Sequence, residues 1–445
     1  MTERIHRDPL ERSDMQGKDD IRTVTDCRLP GRPERVDIAI EAGVITGITP
    51  TGGTPPSGPV LDAAGALITP PYVEPHIHLD TALTAGQPRW NASGTLWEGI
   101  ERWSERKAML TREDVLARAE QVLRWQVANG VLHVRSHCDV TDPELTALHA
   151  LVELRERVRD VLDLQVVAFP QEGIVSFPDG ERLMARAVEA GADALGAIPH
   201  FEDTREDGVR SLQIVFELAE RHGLMVDVHC DEIDDEQSRF VEVVATLAHR
   251  TGLRQRVTAS HTTAMGSYNG AYSRKLRRIV ARSGIHLVCN PMVNLTLQGR
   301  FDDYPKRRGL TQVKEMLAAG VNVAFGHDDV MDPWFPLGTA NPIQVAHAGI
   351  LAAQLSGQDE MDEVFAMVTE RAARVLDVGE RYGLAVGRPA DFLLLPADSP
   401  FDVLRRQIRP SHVISRGRLV AVTPATPTRL TWPGREPEDV DFGRP

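Results

Sequence analysis

The chain has 445 residues, of which 42% are hydrophobic and 26% charged, a balance that excludes a disordered chain and suits a soluble globular one. Fifty basic against 64 acidic residues leave a net charge of −14, a field that repels phosphate backbones and anionic lipid, so neither nucleic acid nor a membrane surface is expected as a partner. At this length, one barrel of about 250 residues plus a smaller unit is as natural as three ordinary domains.

Residues 1–20 are charged and aperiodic and read as a mobile arm, with no apolar run of signal-peptide length. No stretch of about 18 apolar residues follows that would span a bilayer. The four cysteines, Cys27, Cys138, Cys230 and Cys289, lie far apart without a C-x-x-C, so a reduced, cytoplasmic protein is expected. Short alternating runs such as 36–48, broken by the Gly/Pro/Thr cluster at 49–59, predict strands and turns. The same texture returns at 390–398 and 411–422. A small β-sandwich domain built from both ends, 21–69 and 376–445, is the simplest arrangement.

Between them, residues 70–375 alternate strand-like and helical stretches. Strands are predicted at 71–78, 131–137, 164–169, 194–199, 224–230, 256–261, 285–290 and 321–327. Helix starts are marked by Thr111 with Asp114 three residues on, and by Asp142 before Pro143. Eight such repeats, each too short to fold alone, predict an α/β fold: a closed (β/α)8 barrel of the TIM type. A doubly wound open sheet is the alternative, but no G-x-G-x-x-G follows the first strand.

A barrel of this kind carries its chemistry at the C-terminal ends of its strands. Those ends hold His76, His78, His137, Gln171, His200, His229, His261, Asn290 and the run His327–Asp328–Asp329. Seven of the fifteen histidines therefore sit at or beside a strand end. His76 and His78, two apart on a strand, point to the same face. With His229, His261 and Asp328 ending the fifth, sixth and eighth strands, they offer imidazoles and a carboxylate suited to Zn2+ or Fe2+ rather than Mg2+ or Ca2+.

This order of ligands resembles the amidohydrolase superfamily. The segments PYVEPHIHLDTALTAGQPRWNASGTLWEGIERW, VAFPQEGI, VDVHCDEIDDEQSRF, ASHTTAM, NLTLQGRFDDYPKRRG and FGHDDVMDPWFPLGTAN are similar, within it, to the barrel-type bacterial cytosine deaminases, and the likeness runs from about residue 60 to about 420. The resemblance implies hydrolytic deamination of cytosine to uracil and ammonia, a step of pyrimidine salvage. The alternative on the same site is a related aminated heterocycle such as isocytosine, isoguanine or a triazine amine. His76, His78, His229 and Asp328 would hold the metal, and His261 would orient a water or take its proton. Glu232 would shuttle protons to the ring and the leaving amine. Gln171 would read the carbonyl edge, with Asp329 and Trp334 at the pocket wall.

Two-metal relatives bridge their ions with a carboxylated lysine on the fourth strand. Only five of the 50 basic residues here are lysines, and none lies between 108 and 274, so one divalent transition metal per chain, Fe2+ or Zn2+, is expected. A carboxylate bridge from Glu172 or Glu202 is the alternative. His137 and His200 fall outside the ligand pattern and are read as support or packing. Thr296 stands where the family carries a histidine, which puts substrate preference in question if that position touches the pocket. The unrelated zinc deaminases hold their metal with H-x-E and P-C-x-x-C; His200–Phe201–Glu202 matches the first half, but no C-x-x-C exists. A catalytically dead barrel serving as a scaffold is the rival from another class, opposed by the intact set. A homo-oligomer acting on a small aminopyrimidine is expected.

Overall fold

The structure is a computed structural model that describes residues 20–53 and 58–442; of the expected arm at 1–20, all but Asp20 lies outside the described residues. Five strands come first: β1 (Thr23–Arg28), β2 (Arg35–Glu41), β3 (Val44–Pro50), β4 (Val60–Asp62) and β5 (Leu67–Thr69). The barrel strands are β6 (Tyr72–Ile77), β7 (Val131–Asp139), β8 (Asp163–Phe169), β9 (Ala194–Leu195), β10 (Met225–Cys230), β11 (Val257–His261), β12 (His286–Cys289) and β13 (Asn322–Phe325). Each of the eight predicted strands appears in place, β9 the most shortened. Three more follow, β14 (Phe392–Leu395), β15 (His412–Ser415) and β16 (Arg418–Val422), then a small ribbon of β17 (Arg429–Leu430) and β18 (Glu438–Asp439).

Strands β6 to β13 pair in parallel in sequence order, β6 with β7 through β12 with β13. They are buried on both faces, as strands sandwiched between a filled interior and an outer ring of helices must be. The seam between β13 and β6 closes through a parallel bridge from Ile77 to Asp328. Glu74 completes it: its buried carboxylate accepts the backbone N–H groups of His76 (3.0 Å) and His327 (3.0 Å). Burial pushes Glu74 up to about 8, against those two N–H groups that favour its charge.

The helices start where their caps dictate. Thr111 accepts from the N–H of Asp114 at the head of Arg112–Ala128, as predicted. The other predicted start is displaced: Asp142 accepts from Glu144 and Thr146, and the helix begins only at Thr146, because Leu145 adopts a left-handed conformation before it.

The chain ends meet as expected, in one sheet of order β16-β15-β14-β5-β1-β2-β3, with β4 on β1. Period-two alternation assigns its side chains to two cores. Phe392 and Leu394 face the sheet's own core with Ile38 and Ile68, whereas Leu393 and Leu395 join the barrel's outer core with Leu67. The end-built sheet is thus stitched to the barrel by the alternate faces of β5 and β14. On this arrangement we propose 70–375 as the barrel unit and 21–69 with 376–445 as its companion. Among the described residues no helix is long and apolar enough to cross a membrane.

Candidate active site

The mouth of the barrel gathers the predicted residues around one small cavity, lined by His78, Leu96, Gln171, His229, Glu232, His261, Leu297, Asp328, Asp329 and Trp334. His76 lies beneath them, fully buried. The strand ends are locally strained: Asp231, His261, Thr262 and Asp328 all have left-handed backbones (φ 54°, 66°, 47° and 70°), a conformation that non-glycine residues hold only where the surroundings enforce it. Gly326 permits the approach of β13, since a Cβ there would lie 2.6 Å from Asn290 Oδ1 and 2.9 Å from His76 Cβ.

His78 Nε2 and His229 Nε2 face each other at 3.0 Å. Asp328 Oδ1 lies 3.3 Å from His76 Nε2 and 3.5 Å from His78 Nε2. Such separations are those of neighbouring ligand atoms held about 2.1 Å from one common ion. Ligand atoms of His76, His229, His261 and Asp328 also lie within 4.8 Å of one another. His76 Nε2 and Asp328 Oδ2 are buried without a hydrogen bond, an arrangement that costs free energy unless a cation satisfies them. The residues therefore fit a metal.

Charge states agree with that fit. Burial drives His76 and His229 well below the usual histidine range and His78 to about 3, so these imidazoles are neutral, the form that binds metal. His261 goes the other way. Burial opposes its charge, but the carboxylates of Glu232 and Asp328 outweigh it and raise its pKa. Its Nδ1 sits 3.0 Å from Glu232 Oε1 and 3.1 Å from Asn294 Nδ2, and its Nε2 is without a hydrogen-bond partner. Burial, with Glu232 and Asp332 close by, pushes Asp328 up to about 8, against the favourable charge of His261; a divalent cation would pull it back down. Burial and the carboxylates of Asp328 and Asp332 likewise raise Asp329 well above the usual range.

A second tier of residues, which the sequence reading passed over, fixes the first. Ser260 Oγ donates to Asp227 Oδ1 (2.8 Å) and therefore accepts from His76 Nδ1 (3.0 Å), which places the His76 proton on Nδ1 and leaves Nε2 free for the metal side. Asp227 is in turn held by Arg135 (2.9 Å), which also reaches Val375 O and Gln165 Oε1. The only signals were positional: Ser260 precedes His261, and Asn294 lies one helical turn after Asn290.

The remaining predicted residues fall as follows. Trp334 is buried; its Nε1 donates to Leu96 O, and Gly99 leaves room for its ring, which a Cβ would meet at 2.2 Å. The side-chain amide of buried Gln171 makes no hydrogen bond to the described residues, so it is available to a ligand. His137 stacks on His76 with ring centroids 4.0 Å apart, and neither its nitrogens nor those of His200 find hydrogen-bond partners. Neither Glu172 nor Glu202 bridges the cluster. Glu202 accepts from the N–H groups of Ile174, Val175 and Ser176, and Glu172 accepts from Ser104 and Lys107. Thr296 does not line this cavity: its hydroxyl donates to Met292 O, and it faces a separate pocket with Trp90, Arg300 and Trp334. The doubt about substrate that it raised does not arise from direct contact.

Comparison with known proteins gives the family. The family model described as the amidohydrolase family matches residues 59–421. The structure of 5-methylcytosine deaminase from Klebsiella pneumoniae liganded with 5-fluorocytosine is 46% identical, with a TM-score of 0.90 over 93% of this chain and 100% of that one. N-isopropylammelide isopropyl amidohydrolase of Pseudomonas sp. (strain ADP) is 28% identical over 81% of this chain and 87% of its own length. Pterin deaminase of Rhizobium rhizogenes (strain K84 / ATCC BAA-868) is 28% identical over 87% of this chain and 88% of its own. With the barrel, the buried His/Asp group able to bind a metal and these relatives in hand, the chain belongs to the amidohydrolase family, as a hydrolase that acts on C–N bonds of small molecules.

Proposed function

We propose that the protein deaminates cytosine, adding water across the C4=N3 bond and releasing uracil and ammonia. The observation that carries this reading is the pairing of Glu232 Oε1 with His261 Nδ1 at 3.0 Å on the wall of a cavity that also presents the free amide of Gln171.

His76, His78, His229 and Asp328 would hold one divalent transition metal, which supplies, when bound, the Lewis acidity that makes water a nucleophile at neutral pH. His261 lies beside the ligands but serves the water instead, since its Nδ1 is paired with Glu232 Oε1 at 3.0 Å. Its unpartnered Nε2 orients the incoming water. Asp328 takes the water's proton on Oδ2, which has no other hydrogen bond. Glu232, starting protonated, gives its proton to the ring nitrogen beside C4, takes up the proton of the new C4 hydroxyl as the C4=O bond forms and hands it to the departing amino group; the bond from C4 to the exocyclic nitrogen breaks, nitrogen leaves as ammonia, and the proton held by Asp328 passes to Glu232 to reset the pair. Gln171 offers one donor and one acceptor to the O2 and N1–H edge, fixing which carbon faces the nucleophile. Trp334 and Leu96 wall the ring.

The likeness to the Klebsiella enzyme supports a second reading, deamination of 5-methylcytosine to thymine by the same residues. Ammonia release by Fe2+- and Zn2+-loaded protein on cytosine, 5-methylcytosine, isocytosine and a triazine amine decides between them. Cytosine is expected to give the highest kcat/KM in the panel. Preference for isocytosine or the triazine amine would overturn both readings. Metal analysis is expected to return one ion per chain.

A further inference from the structure

Lys107, the last residue of the first helix, Leu96–Lys107, reaches the strand ends at the barrel mouth. Its side chain is 11% exposed, and its ammonium group is fully coordinated by three acceptors: Asp139 Oδ2 at 3.0 Å, Thr141 Oγ1 at 2.7 Å and Glu172 Oε1 at 2.6 Å. Those acceptors come from the end of β7 and the loop after β8. Gln171 stands between them. Its backbone N–H approaches Asp139 Oδ1 (3.4 Å), and Glu172 is the next residue. Resting on the reading of Gln171 as the substrate-reading amide, we propose that Lys107 is a positioning residue that fixes Gln171 by drawing Asp139 and Glu172 together on either side of it.

The surrounding bonds turn these two carboxylates into rigid supports. Asp139 Oδ2 also accepts from Trp103 Nε1 (2.8 Å), and Oδ1 accepts from the N–H (2.8 Å) and hydroxyl (2.5 Å) of Thr141. Glu172 Oε1 accepts from Ser104 Oγ (2.7 Å) as well. Trp103 and Ser104 belong to the same helix as Lys107, whose first residue, Leu96, lines the cavity. One helix therefore walls the ring at its start and holds the reader of the ring edge at its end. An apolar residue at 107 would fill the same space. It would leave two carboxylates near one another without a counter-charge, and their repulsion would open the spacing that holds Gln171. A displaced Gln171 amide loses its paired donor and acceptor on the ring edge while the metal-side groups stay where they are, so the effect should fall mainly on binding of that edge.

The test is a double-mutant cycle between position 107 and Gln171 on the metal-loaded protein, with KM and kcat measured separately. Lys107→Met is expected to raise KM by more than about threefold while changing kcat less than KM, with metal content unchanged. In the Gln171→Ala background the same substitution should cost less than half as much on a logarithmic scale, because the group it positions is gone. Glu172→Gln, which keeps the shape and removes one charge, supplies the second cycle and replaces the first if Lys107→Met cannot be obtained folded. A rise in KM below threefold, or a penalty at least half as large without Gln171, would overturn the proposal. The cycle is run on whichever ring the wild type turns over fastest. Loss of the cytosine assignment then leaves this test standing, and failure of the cycle with cytosine preferred sinks only the role of Lys107.

Discussion

The mouth of the barrel and the end-built sheet are both buried, yet they solve burial in opposite ways. The sheet fills its interior with Val24, Ile38, Ile45, Ile68, Phe392 and Ile414, and its buried Asp37 is satisfied by Thr51, Gly52 and the N–H of Asp26. The mouth instead buries seven ionisable side chains, His76, His78, His229, Glu232, His261, Asp328 and Asp329, strains the backbone at three strand ends, and leaves His76 Nε2, His261 Nε2 and Asp328 Oδ2 without hydrogen-bond partners. Apolar packing of the first kind contributes stability outright. The second kind costs stability unless something with charge and lone-pair demand completes it, which is why it marks the working end of the molecule.

The comparison breaks most sharply at Glu232. Glu232→Gln keeps the shape of the mouth and removes its mobile proton, so turnover should fall by about 10²–10⁴-fold while metal content and unfolding temperature stay near wild type. Ammonia release beside metal analysis checks this; turnover within tenfold of wild type would show that the carboxyl does not move the protons.

Ser260→Ala probes the tier beneath. Losing the acceptor that holds His76 Nδ1–H should weaken metal affinity by about 10–100-fold, read by competition with a chelator. Unaltered affinity would mean that His76 is oriented by packing on His137 alone. Gln171→Ala should lower kcat/KM for cytosine by more than tenfold, about 1.4 kcal/mol, with the metal retained. A uniform, weak loss on every ring of the panel would remove Gln171 as the reader.

In the sheet the expectation is reversed. Ile38→Val deletes one buried methylene and should cost about 0.5–1.5 kcal/mol of stability, measured by denaturant unfolding, with kcat per folded molecule unchanged. The smallest effect belongs to the contact between the two regions. Asp163, on β8, meets Arg416 (3.0 Å), Arg381 (3.0 Å) and His133 (3.1 Å). Burial works to raise its pKa, but the hydrogen bond and charge of His133 and the two guanidinium groups outweigh it and lower the value. A lowered carboxylate stabilises the fold above its unfolded pKa, and that contribution is lost as pH falls through the folded value. The stability difference between wild type and Asp163→Asn, at most about 1 kcal/mol for so partly exposed a group, should therefore be constant near neutrality, begin to shrink near about pH 4, the ordinary carboxyl value, and disappear only at lower pH, below the folded value. A difference that persists into acid would place its origin in packing.

Much of this molecule was readable before any coordinates, because its signals are local or periodic. Eight apolar runs separated by helical stretches specify parallel strands that must be covered on both faces, and the polar residues ending those runs specify where the chemistry lies. Spacing alone put His76 and His78 on one face, and the alternation in 390–398 foretold strand β14. What the sequence could not decide were the pairings between distant residues. That Ser260 orients His76, that Glu172 serves Lys107 rather than an ion, that Thr296 turns away from the cavity, and that Leu393 and Phe392 serve different cores all depend on which strands are neighbours and how side chains rotate once packed. Periodicity fixes the face on which a side chain lies; only closure of the barrel brings that face against a particular partner, since hydrogen bonds and ion pairs act over about 3 Å and chain separation carries no information about them.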